Sequence, residues 1–333
     1  MESGELKMAY FLVSVSNRTN LELCIKYALA GFTNSINGLW TYAEIQEDDF
    51  ISFLYGAKVF NLYKVVKKEA IKNADKIGPW PSVTFRMSGK TYYFPFRLYL
   101  KPIREFIEPM VRPEFAYVAE NLLLRGGYRK THFQADQTTL QSVSQMGESY
   151  DKPVERFTND NHETFIPQVT WNKTLVCPPE VFYFQEFILQ FLIKQWLSQI
   201  TNLQTLFNLI GLDSLLSKDF EVLSEKALPE GHIDILIKDA IPVGYSRKII
   251  VEVKLRKSQL KDISQLDSYM KELGNECIGG VLIAKEFSQK VRLKCREKKI
   301  KCFTYSFGEI NSLQKYSIAE LCSRICINPL MEG

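Results

Sequence analysis

The chain has 333 residues, 46% of them hydrophobic and 24% charged, with a formal net charge of +4. That length allows two domains with separate cores, and no apolar stretch approaches the roughly 20 residues that span a bilayer. Acidic residues near the N-terminus replace the positive charge of a signal peptide, and seven cysteines without a CxxC pair argue against a disulfide framework. We therefore expect a cytoplasmic protein that does not bind membranes.

Short aromatic-rich runs dominate the chain from residue 8 to about 145. The runs typical of strands are AYFLVSVS, DDFISFLYG, KVFNLYKVV, SVTFRM and TYYFPFRLYL. Clusters of Gly, Asn, Asp and Pro separate them, and NLELCIKYALAG predicts one helix that ends at Gly31. This part of the chain is therefore expected to be an α+β or all-β domain.

The same motifs, taken in order, resemble the PUA-like group that contains YTH and EVE domains. The resemblance lies in the YFLVS strand, a loop bearing Trp40, the next two strands, a second loop bearing Trp80, and YYFPFRLYLKPI. It implies a small β-barrel with helices and an aromatic pocket for a flipped, modified base, in which stacking contributes about 1–3 kcal/mol per base. The expected pocket residues are Trp40, Trp80, Phe32, Tyr42 and Tyr55.

Two interpretations of the tryptophans stay open at this point. Both are predicted to lie in loops beside glycines, which favours contact with a ligand, but each ring is also able to fill the end of a barrel. The core interpretation is preferred for the strand aromatics Tyr10, Phe53, Phe60, Phe94 and Phe96. The basic stretch RGGYRKTHFQAD supplies candidate phosphate contacts, namely Arg125, Arg129 and Lys130.

The remaining chain changes in character twice. Residues 147–178 are polar and punctuated by proline, so they are expected to link a domain of residues 1–146 to one of residues 179–333. A helical pattern runs from Pro179 to about Ile210. Strands then alternate with helices through GHIDILIKD, RKIIVEVKL, LKDISQLDSYMKEL, CIGGVLIAK, a basic helix and KCFTYSF, which predicts a mixed α/β sheet.

Two carboxylates and a lysine stand on adjacent predicted strands. Glu252 and Lys254 share a face because side chains alternate along a strand, and Asp234 faces away from its isoleucine neighbours. A Pro-x-Gly turn predicts a hairpin that brings the three together. Close carboxylates repel unless a cation or proton lies between them, and Mg²⁺ prefers oxygen ligands. Asp234 and Glu252 are thus candidate metal ligands and Lys254 a partner of the attacking water; the alternative is three ordinary surface charges.

The pattern Asp234 … Glu252-Val253-Lys254 resembles the PD-(D/E)XK nuclease superfamily. The stretch GHIDILI … IIVEVK … DISQLDSYMKELG … IGGVLIAKEF is similar to its NucS and archaeal restriction-endonuclease-like branch. The resemblance implies a restriction-endonuclease-like fold and a Mg²⁺ cofactor, with Mn²⁺ as a substitute. It adds Gln265 to the catalytic set, Tyr269 one turn later as a contact to the nucleic-acid backbone, and an acidic residue from the preceding helix, best matched by Glu186, with Glu180 and Glu230 as alternates.

A basic run at residues 285–301 holds eight Lys or Arg against two Glu. It is either a solvated helix face or a phosphate-binding surface formed by Lys294, Arg296, Lys298 and Lys299.

Together, the two resemblances give the hypothesis of an endonuclease that flips a methylated base and cuts double-stranded DNA nearby, as a homodimer when both strands are cut. The alternatives are a NucS-like repair or branch-specific nuclease and a non-catalytic reader of modified RNA or DNA. Which base is recognised, 6-methyladenine or 5-methylcytosine, is left open.

Overall fold

A computed structural model describes residues 8–56, 58–110, 131–157, 162–228 and 231–330, without the side chains of residues 225–228. These residues divide into two compact units. The first unit contains the described residues from 8 to 135 and from 139 to 183, and the second contains residues 136–138 and those from 184 to 330. Across the described ranges, no helix is long and apolar enough to cross a membrane.

Strands account for most of the regular structure in the first unit. Its elements are, in chain order, β1 (Tyr10–Ser14), α1 (Arg18–Tyr27), β2 (Leu29–Phe32), α2 (Ile36–Glu44), β3 (Phe50–Tyr55), β4 (Lys58–Ala70), β5 (Val83–Thr84), β6 (Thr91–Tyr92), β7 (Phe96–Glu105), β8 (His132–Ala135), α3 (Gln137–Ser144), β9 (Glu148–Ser149), β10 (Gln168–Thr170) and β11 (Val181–Tyr183).

One mixed sheet organises this unit. Its strand order is β2-β7-β4-β3-β1-β8, with β9 added beside β7, and only β1 and β3 run parallel among the pairs described. No strand pairing within the described residues joins β2 to β8, so the expected barrel is not confirmed. Tyr10, Phe53 and Phe96 have no exposed surface, in agreement with their expected core positions, whereas Phe60 and Phe94 are half-buried.

The first helix ends earlier than the sequence pattern indicates. Ala28 adopts a left-handed conformation with φ 44°, which stops α1, and Leu29–Phe32 then forms the strand β2. The predicted helix end at Gly31 is therefore wrong, because Gly31 lies within β2. A Cβ atom at Gly31 would lie 2.3 Å from the ring of Trp80, so close packing, not a helix terminus, requires glycine here.

The segment expected to be a linker has backbone contacts with strands of the first unit. The amide of Tyr150 donates to the carbonyl of Ile103 at 3.1 Å, and that of Phe165 donates to Ala70 at 2.9 Å. Further along, β10 pairs in parallel with β11. Residues 147–157 and 162–178 accordingly group with the first unit.

In the second unit, strands alternate with helices. Its elements are α4 (Glu186–Leu197), α5 (Ile200–Ile210), β12 (Phe220–Leu228), β13 (Gly231–Asp239), β14 (Lys248–Lys257), α6 (Leu260–Leu273), β15 (Cys277–Glu286), α7 (Gln289–Glu297), β16 (Ile300–Phe307), β17 (Lys315–Ser317), α8 (Ile318–Arg324) and β18 (Ile325–Pro329). The helical pattern predicted from Pro179 to Ile210 is thus two helices preceded by the short strand β11.

A six-stranded sheet forms the centre of the second unit, in the order β12-β13-β14-β15-β16-β18. Strands β12, β13 and β14 are antiparallel neighbours, β14, β15 and β16 are parallel, and β18 is antiparallel to β16. Helix α6 packs on this sheet, where Ile263 and Leu266 join a core with Ile250 and Leu282. The predicted mixed α/β sheet is confirmed.

Candidate active site

The two strands that carry the predicted catalytic residues form the expected hairpin. Ile235 pairs with Val251, and the described pairing of β13 with β14 stops there. Beyond that point the Asp234 carboxylate takes the place of a strand partner, because its Oδ2 accepts a hydrogen bond of 2.8 Å from the Val253 amide. Asp234 is therefore fixed against the strand that bears Glu252 and Lys254.

Lys254 lies among three carboxylates. Its Nζ is 2.7 Å from Oε1 of Glu252, 4.0 Å from Oδ2 of Asp234 and 3.9 Å from Oε1 of Glu186. Glu252 has no exposed surface, whereas the side chains of Lys254 and Asp234 keep 20% and 12% of theirs. The prediction that Asp234, Glu252 and Lys254 converge is confirmed, and the cluster reaches solvent on the Lys254 side.

Glu186, the acidic residue assigned from the preceding helix, also reaches this cluster. It is the first residue of α4, and its Oε2 accepts a hydrogen bond of 3.0 Å from the amide of Leu255. Of the alternates, Glu180 precedes β11 in the first unit, and Glu230 lies outside the described residues. The structure thus brings Glu186 to Lys254.

A β-bulge directly after Lys254 explains why Leu255 is available to these groups. In the pairing of β14 with β15, Lys254 is opposite Ala284 but Lys257 is opposite Glu286, so β14 contains one extra residue. A bulge leaves backbone groups outside the ladder. The Leu255 amide donates to Glu186, and the Leu255 carbonyl accepts a hydrogen bond of 2.6 Å from the Tyr305 hydroxyl.

Tyr305 was not predicted from the sequence. It is nearly fully buried, it lies on β16, and the Nζ of Lys285 is 5.6 Å from the centre of its ring. Burial, with the charge of Glu186 nearby, raises the pKa of Tyr305 to about 12. The hydroxyl therefore stays protonated and serves as a donor that fixes the bulge; the aromatic strand KCFTYSF gave a strand signal but no signal for this role.

Burial and charge act against each other in the central pair. Burial raises the pKa of Glu252, and Asp262 and Glu186 add to the rise, while Lys254 opposes it. For Lys254, burial lowers the pKa, but Asp234, Glu252 and Glu186 more than offset this and raise it above the ordinary lysine value. The cluster therefore has one ammonium shared by several carboxylates in a poorly solvated position, which is typical of functional sites.

The helix residues Gln265 and Tyr269 are connected to the hairpin. Nε2 of Gln265 donates to the Tyr269 hydroxyl at 3.0 Å, and the same hydroxyl accepts from the amide of His232, two residues before Asp234. Burial raises the pKa of Tyr269, and the charges of Glu252 and Asp234 also contribute. The predicted position of Gln265 and Tyr269 on one face of the helix is confirmed, and this face lies next to the strand that carries Asp234.

The residues present fit a hard divalent cation. Both oxygens of Glu252 are buried, and neither accepts a hydrogen bond of good geometry from the described residues. Oε1 is close to the Lys254 ammonium, whereas Oε2 has no partner among the described residues, and a buried oxygen of this kind is costly. The described part of the chain holds no group of three or more His, Cys, Asp and Glu arranged for a metal. Magnesium sites commonly use only one or two carboxylates with water and phosphate, which Asp234 and Glu252 would supply.

The basic run has mixed surroundings. Lys294 pairs with Glu297 at 2.6 Å and Lys298 with Asp267 at 3.0 Å, so part of its charge is neutralised within the fold. Arg296 and Lys299 are exposed. The residues of the second predicted phosphate-binding set, Arg125, Arg129 and Lys130, lie outside the described residues.

Trp40 does not lie in a loop, contrary to the prediction. It is in α2, which starts after the cap residue Ser35, and only 4% of it is exposed. Its Nε1 donates to Oε2 of Glu44 at 2.9 Å, and its ring meets His132 edge-on at 4.7 Å. Gly38 resembles a loop signal in the sequence, but it lies in the first turn of α2, where a Cβ would come within 1.8 Å of the Thr33 carbonyl.

Trp80 lies outside the regular elements, as expected, but it is buried. Only 6% of it is exposed; its ring packs over Gly31, 5.4 Å from the ring of Phe94, and 5.7 Å from the guanidinium of Arg97.

The other predicted pocket residues are Phe32, buried in β2, and the half-buried Tyr42 and Tyr55. Tyr42 stacks obliquely on Phe96 at 5.3 Å. Trp40 and Trp80 contact different sets of neighbours, so a shared aromatic sandwich stays a prediction.

Comparison with known families adds a separate line of support for the second unit. Residues 203–312 match the family model described as the endonuclease NucS C-terminal domain. The match covers about a third of the chain and includes Asp234, Glu252, Lys254, Gln265 and Tyr269, but not Glu186. The predicted relationship of this region to NucS endonucleases is supported, while the match does not extend to the first unit.

Solved structures give a weaker likeness. A repair endonuclease from Pyrococcus abyssi matches at 19% identity with a TM-score of 0.23, over 32% of this chain and 44% of that one. A complex of EndoMS with double-stranded DNA matches at 20% identity and a TM-score of 0.22, over 30% and 42%. The matched region spans less than half the length of either structure, and at such TM-scores the likeness carries no argument. Curated proteins give no significant match.

Proposed function

We propose that the chain is a metal-dependent endonuclease of the NucS kind that hydrolyses phosphodiester bonds in double-stranded DNA. The observation that carries the proposal is the cluster of Asp234, Glu252 and Lys254, which lies within the residues that match the endonuclease NucS C-terminal domain. Ordinary surface charges would not place a fully buried carboxylate 2.7 Å from a lysine beside a strand bulge.

In this proposal, each side chain has a distinct role. Asp234 and Glu252 would hold Mg²⁺, or Mn²⁺ in its place, and the ion when bound would supply Lewis-acid stabilisation of charge on the phosphate. Lys254 would donate hydrogen bonds to the attacking water or to a phosphate oxygen as negative charge develops there. Glu186 and Gln265 would orient the water and its neighbours. Tyr269 is only 3% exposed and its hydroxyl is bonded to Gln265, so it would position Gln265 and not make the predicted contact with the nucleic-acid backbone.

One catalytic cluster cuts one strand at a time. A double-strand break would therefore require a homodimer or two successive events. Of the four phosphate contacts predicted in the basic run, Arg296 and Lys299 are the exposed ones, so their charge is more available to duplex phosphates than that of Lys294 and Lys298.

A second candidate concerns the choice of DNA. Residues 8 to about 140 resemble modified-base readers in sequence. The described residues from 8 to 135 belong to the first unit, and Asp234, Glu252 and Lys254 belong to the second. A reader joined to a nuclease raises the effective concentration of the nuclease near its mark. Under this candidate the enzyme is a modification-dependent endonuclease, and under the first it is a repair or branch-specific nuclease.

The experiment compares cleavage across a panel of duplexes by the full-length protein. The panel contains one sequence as plain, 6-methyladenine, 5-methylcytosine, mismatched and branched DNA, each with Mg²⁺, with Mn²⁺ and with a chelator. The matched control is Glu252→Gln, which keeps the shape of the side chain. We expect metal-dependent cleavage by the wild type and none by Glu252→Gln, with binding in chelator preserved for both.

The panel also separates the candidates. Preference for mismatched or branched duplexes supports the NucS-like nuclease, and preference for a methylated duplex supports the modification-dependent enzyme. Binding without cleavage of any duplex, in the presence of either metal, would contradict the proposal and favour a non-catalytic reader.

A further inference from the structure

The hairpin formed by β5 and β6, residues 83–92, extends into solvent. Every residue from 81 to 91 is exposed. The two strands pair through Val83 with Tyr92 and Thr84 with Thr91. Backbone hydrogen bonds from Phe85 to Lys90, at 2.9 Å, and from Gly89 to Phe85, at 2.8 Å, close the turn, so the segment has a defined conformation. We call residues 83–92 the tip hairpin.

The tip hairpin carries apolar side chains where solvent exposure is greatest. Val83 and Phe85 are 42% and 56% exposed, and Met87 is fully exposed. The Phe85 ring meets the ring of Tyr92 edge-on at 5.4 Å, which restricts its motion. Single exposed apolar residues are common on protein surfaces, but several together mark interaction sites.

The same hairpin is cationic. No Asp or Glu occurs between Lys76 and Arg104 in the sequence, and the exposed tip contains both Arg86 and Lys90. Neither of these two side chains forms an ion pair with the residues that the structure describes. The tip therefore presents two positive charges beside Phe85 and Met87, and no acidic residue in the described ranges forms an ion pair with either.

A suitable partner must offer negative charges and flat apolar surfaces at short spacing. Double-stranded DNA has both, since phosphates line the grooves and base steps lie between them. Proteins that bend DNA insert Phe, Leu, Ile, Met or Pro between base steps while cations hold the adjacent phosphates. Charge complementarity and this residue composition together favour duplex DNA.

We propose that the tip hairpin is a DNA-binding wedge of the first unit. Arg86 and Lys90 bind phosphates, and Met87, supported by Phe85, packs against or between neighbouring base pairs. The proposal rests on the proposed function in taking DNA as the partner. It extends that function by giving the first unit a contact with duplex DNA that needs no modified base.

The experiment measures binding of the full-length protein to a fluorescent plain duplex in chelator, where cleavage does not contribute. The charge variant is Arg86→Ala with Lys90→Ala, the apolar variant is Phe85→Ala with Met87→Ala, and the matched control is Ile107→Ala, an exposed apolar residue elsewhere in the unit. We expect the charge variant to flatten the slope of log K against log salt by about 2. The apolar variant should lose about 5- to 150-fold in affinity at an unchanged slope, and the control should bind like the wild type.

A second readout reports the insertion itself. A duplex containing 2-aminopurine should brighten on binding the wild type, because unstacking relieves quenching, and should brighten much less with the apolar variant. Unchanged affinity, slope and fluorescence in both hairpin variants would overturn the proposal. Binding to anionic phospholipid vesicles is measured for the same variants. If the hairpin variants lose vesicle binding but keep DNA binding, the hairpin binds a membrane surface and the proposal is also overturned.

Failure of this inference is distinguishable from failure of the proposed function. If the hairpin variants bind and cut DNA as the wild type does, while Glu252→Gln cuts nothing, the wedge is excluded and the nuclease stands. If the wild type binds through the hairpin but never cuts, the wedge stands and the nuclease is excluded. A wild type that binds no duplex contradicts both.

Discussion

Buried carboxylates are the most informative single residues in the second unit. Glu252 has no exposed surface, and burial of a carboxylate is costly unless a cation or hydrogen bonds compensate it. A buried ion pair such as Glu252 with Lys254 is weak evidence for stability, because apolar residues of similar size are often as stable or more so. The presence of the buried Glu252 carboxylate beside the partly exposed Lys254 therefore favours a functional explanation.

Glu221 provides a contrasting buried carboxylate in the same unit. Its Oε1 lies 3.5 Å from Nζ of Lys238, which also pairs with Asp136 at 2.8 Å. Burial, with a contribution from Asp136 and against the effect of Lys238, raises the pKa of Glu221 to about 7. Glu221 is not one of the candidate catalytic residues, so its ionisation is expected to affect the stability of the fold and not cleavage.

We expect Glu221→Gln to change how stability depends on pH. A carboxyl group whose pKa is raised by folding favours the folded state at low pH, and that contribution is lost as pH rises from 4.5 to about 7. The loss is on the order of 3 kcal/mol. The melting temperature of Glu221→Gln should therefore equal that of the wild type near pH 4.5 and exceed it near pH 7. The exposed residue Glu309, changed to Gln, is the control, and a parallel shift at all pH values would contradict the assignment.

At the scale of the elements, the bulge in β14 and the helix α6 position the candidate site. The bulge releases Leu255 to bond Glu186 and Tyr305, while Tyr269 of α6 accepts from the His232 amide and from Gln265. Gly231 lies against this contact, because a Cβ there would come within 2.0 Å of the Tyr269 hydroxyl.

We expect Gly231→Ala to disturb the site, because the ring of Tyr269 is buried and has little room to move. Overpacking of this kind costs about 1–3 kcal/mol, and the altered Tyr269 and Gln265 should slow cleavage as well. Gly279→Ala is the matched control, since its Cβ would make ordinary contacts at 3.6 Å. Thermal melting and cleavage rates of the two variants test this. Equal melting temperatures and equal cleavage rates for Gly231→Ala and Gly279→Ala would contradict a role for the Tyr269 contact in the site.

Alternation and turn chemistry were sufficient to predict the β13–β14 hairpin and the shared face of Asp234, Glu252 and Lys254, because the side-chain period of a strand is two. The (i, i+4) relation of Gln265 and Tyr269 was predicted by helix geometry in the same way. Tyr305 was missed, because its role depends on an extra residue in β14 that no local pattern encodes. The prediction for Trp40 is wrong, because Gly38 resembles a loop marker in the sequence but is required by the close approach of the Thr33 carbonyl just before α2.

At the scale of the whole molecule, the chain contains two compact units with different content. The second includes the residues that match the endonuclease NucS C-terminal domain, and its mixed sheet was predictable from the alternation of strands and helices. The extent of the first unit was not, because residues 147–178 lack periodicity in the sequence. The described ones, 147–157 and 162–178, form mainly irregular backbone contacts. Such contacts depend on the fold and leave little trace in the local sequence.

The central claim is that Lys254 acts in DNA hydrolysis and is not an ordinary strand lysine. Lys257 lies on the same strand, three residues further on, and is exposed. The most direct test is the single-turnover rate of duplex cleavage with Mg²⁺ by Lys254→Met and Lys257→Met, after circular dichroism and melting show both to be folded. We expect a loss of at least about 100-fold for Lys254→Met and a rate close to wild type for Lys257→Met. Equal rates for wild type and Lys254→Met would contradict it.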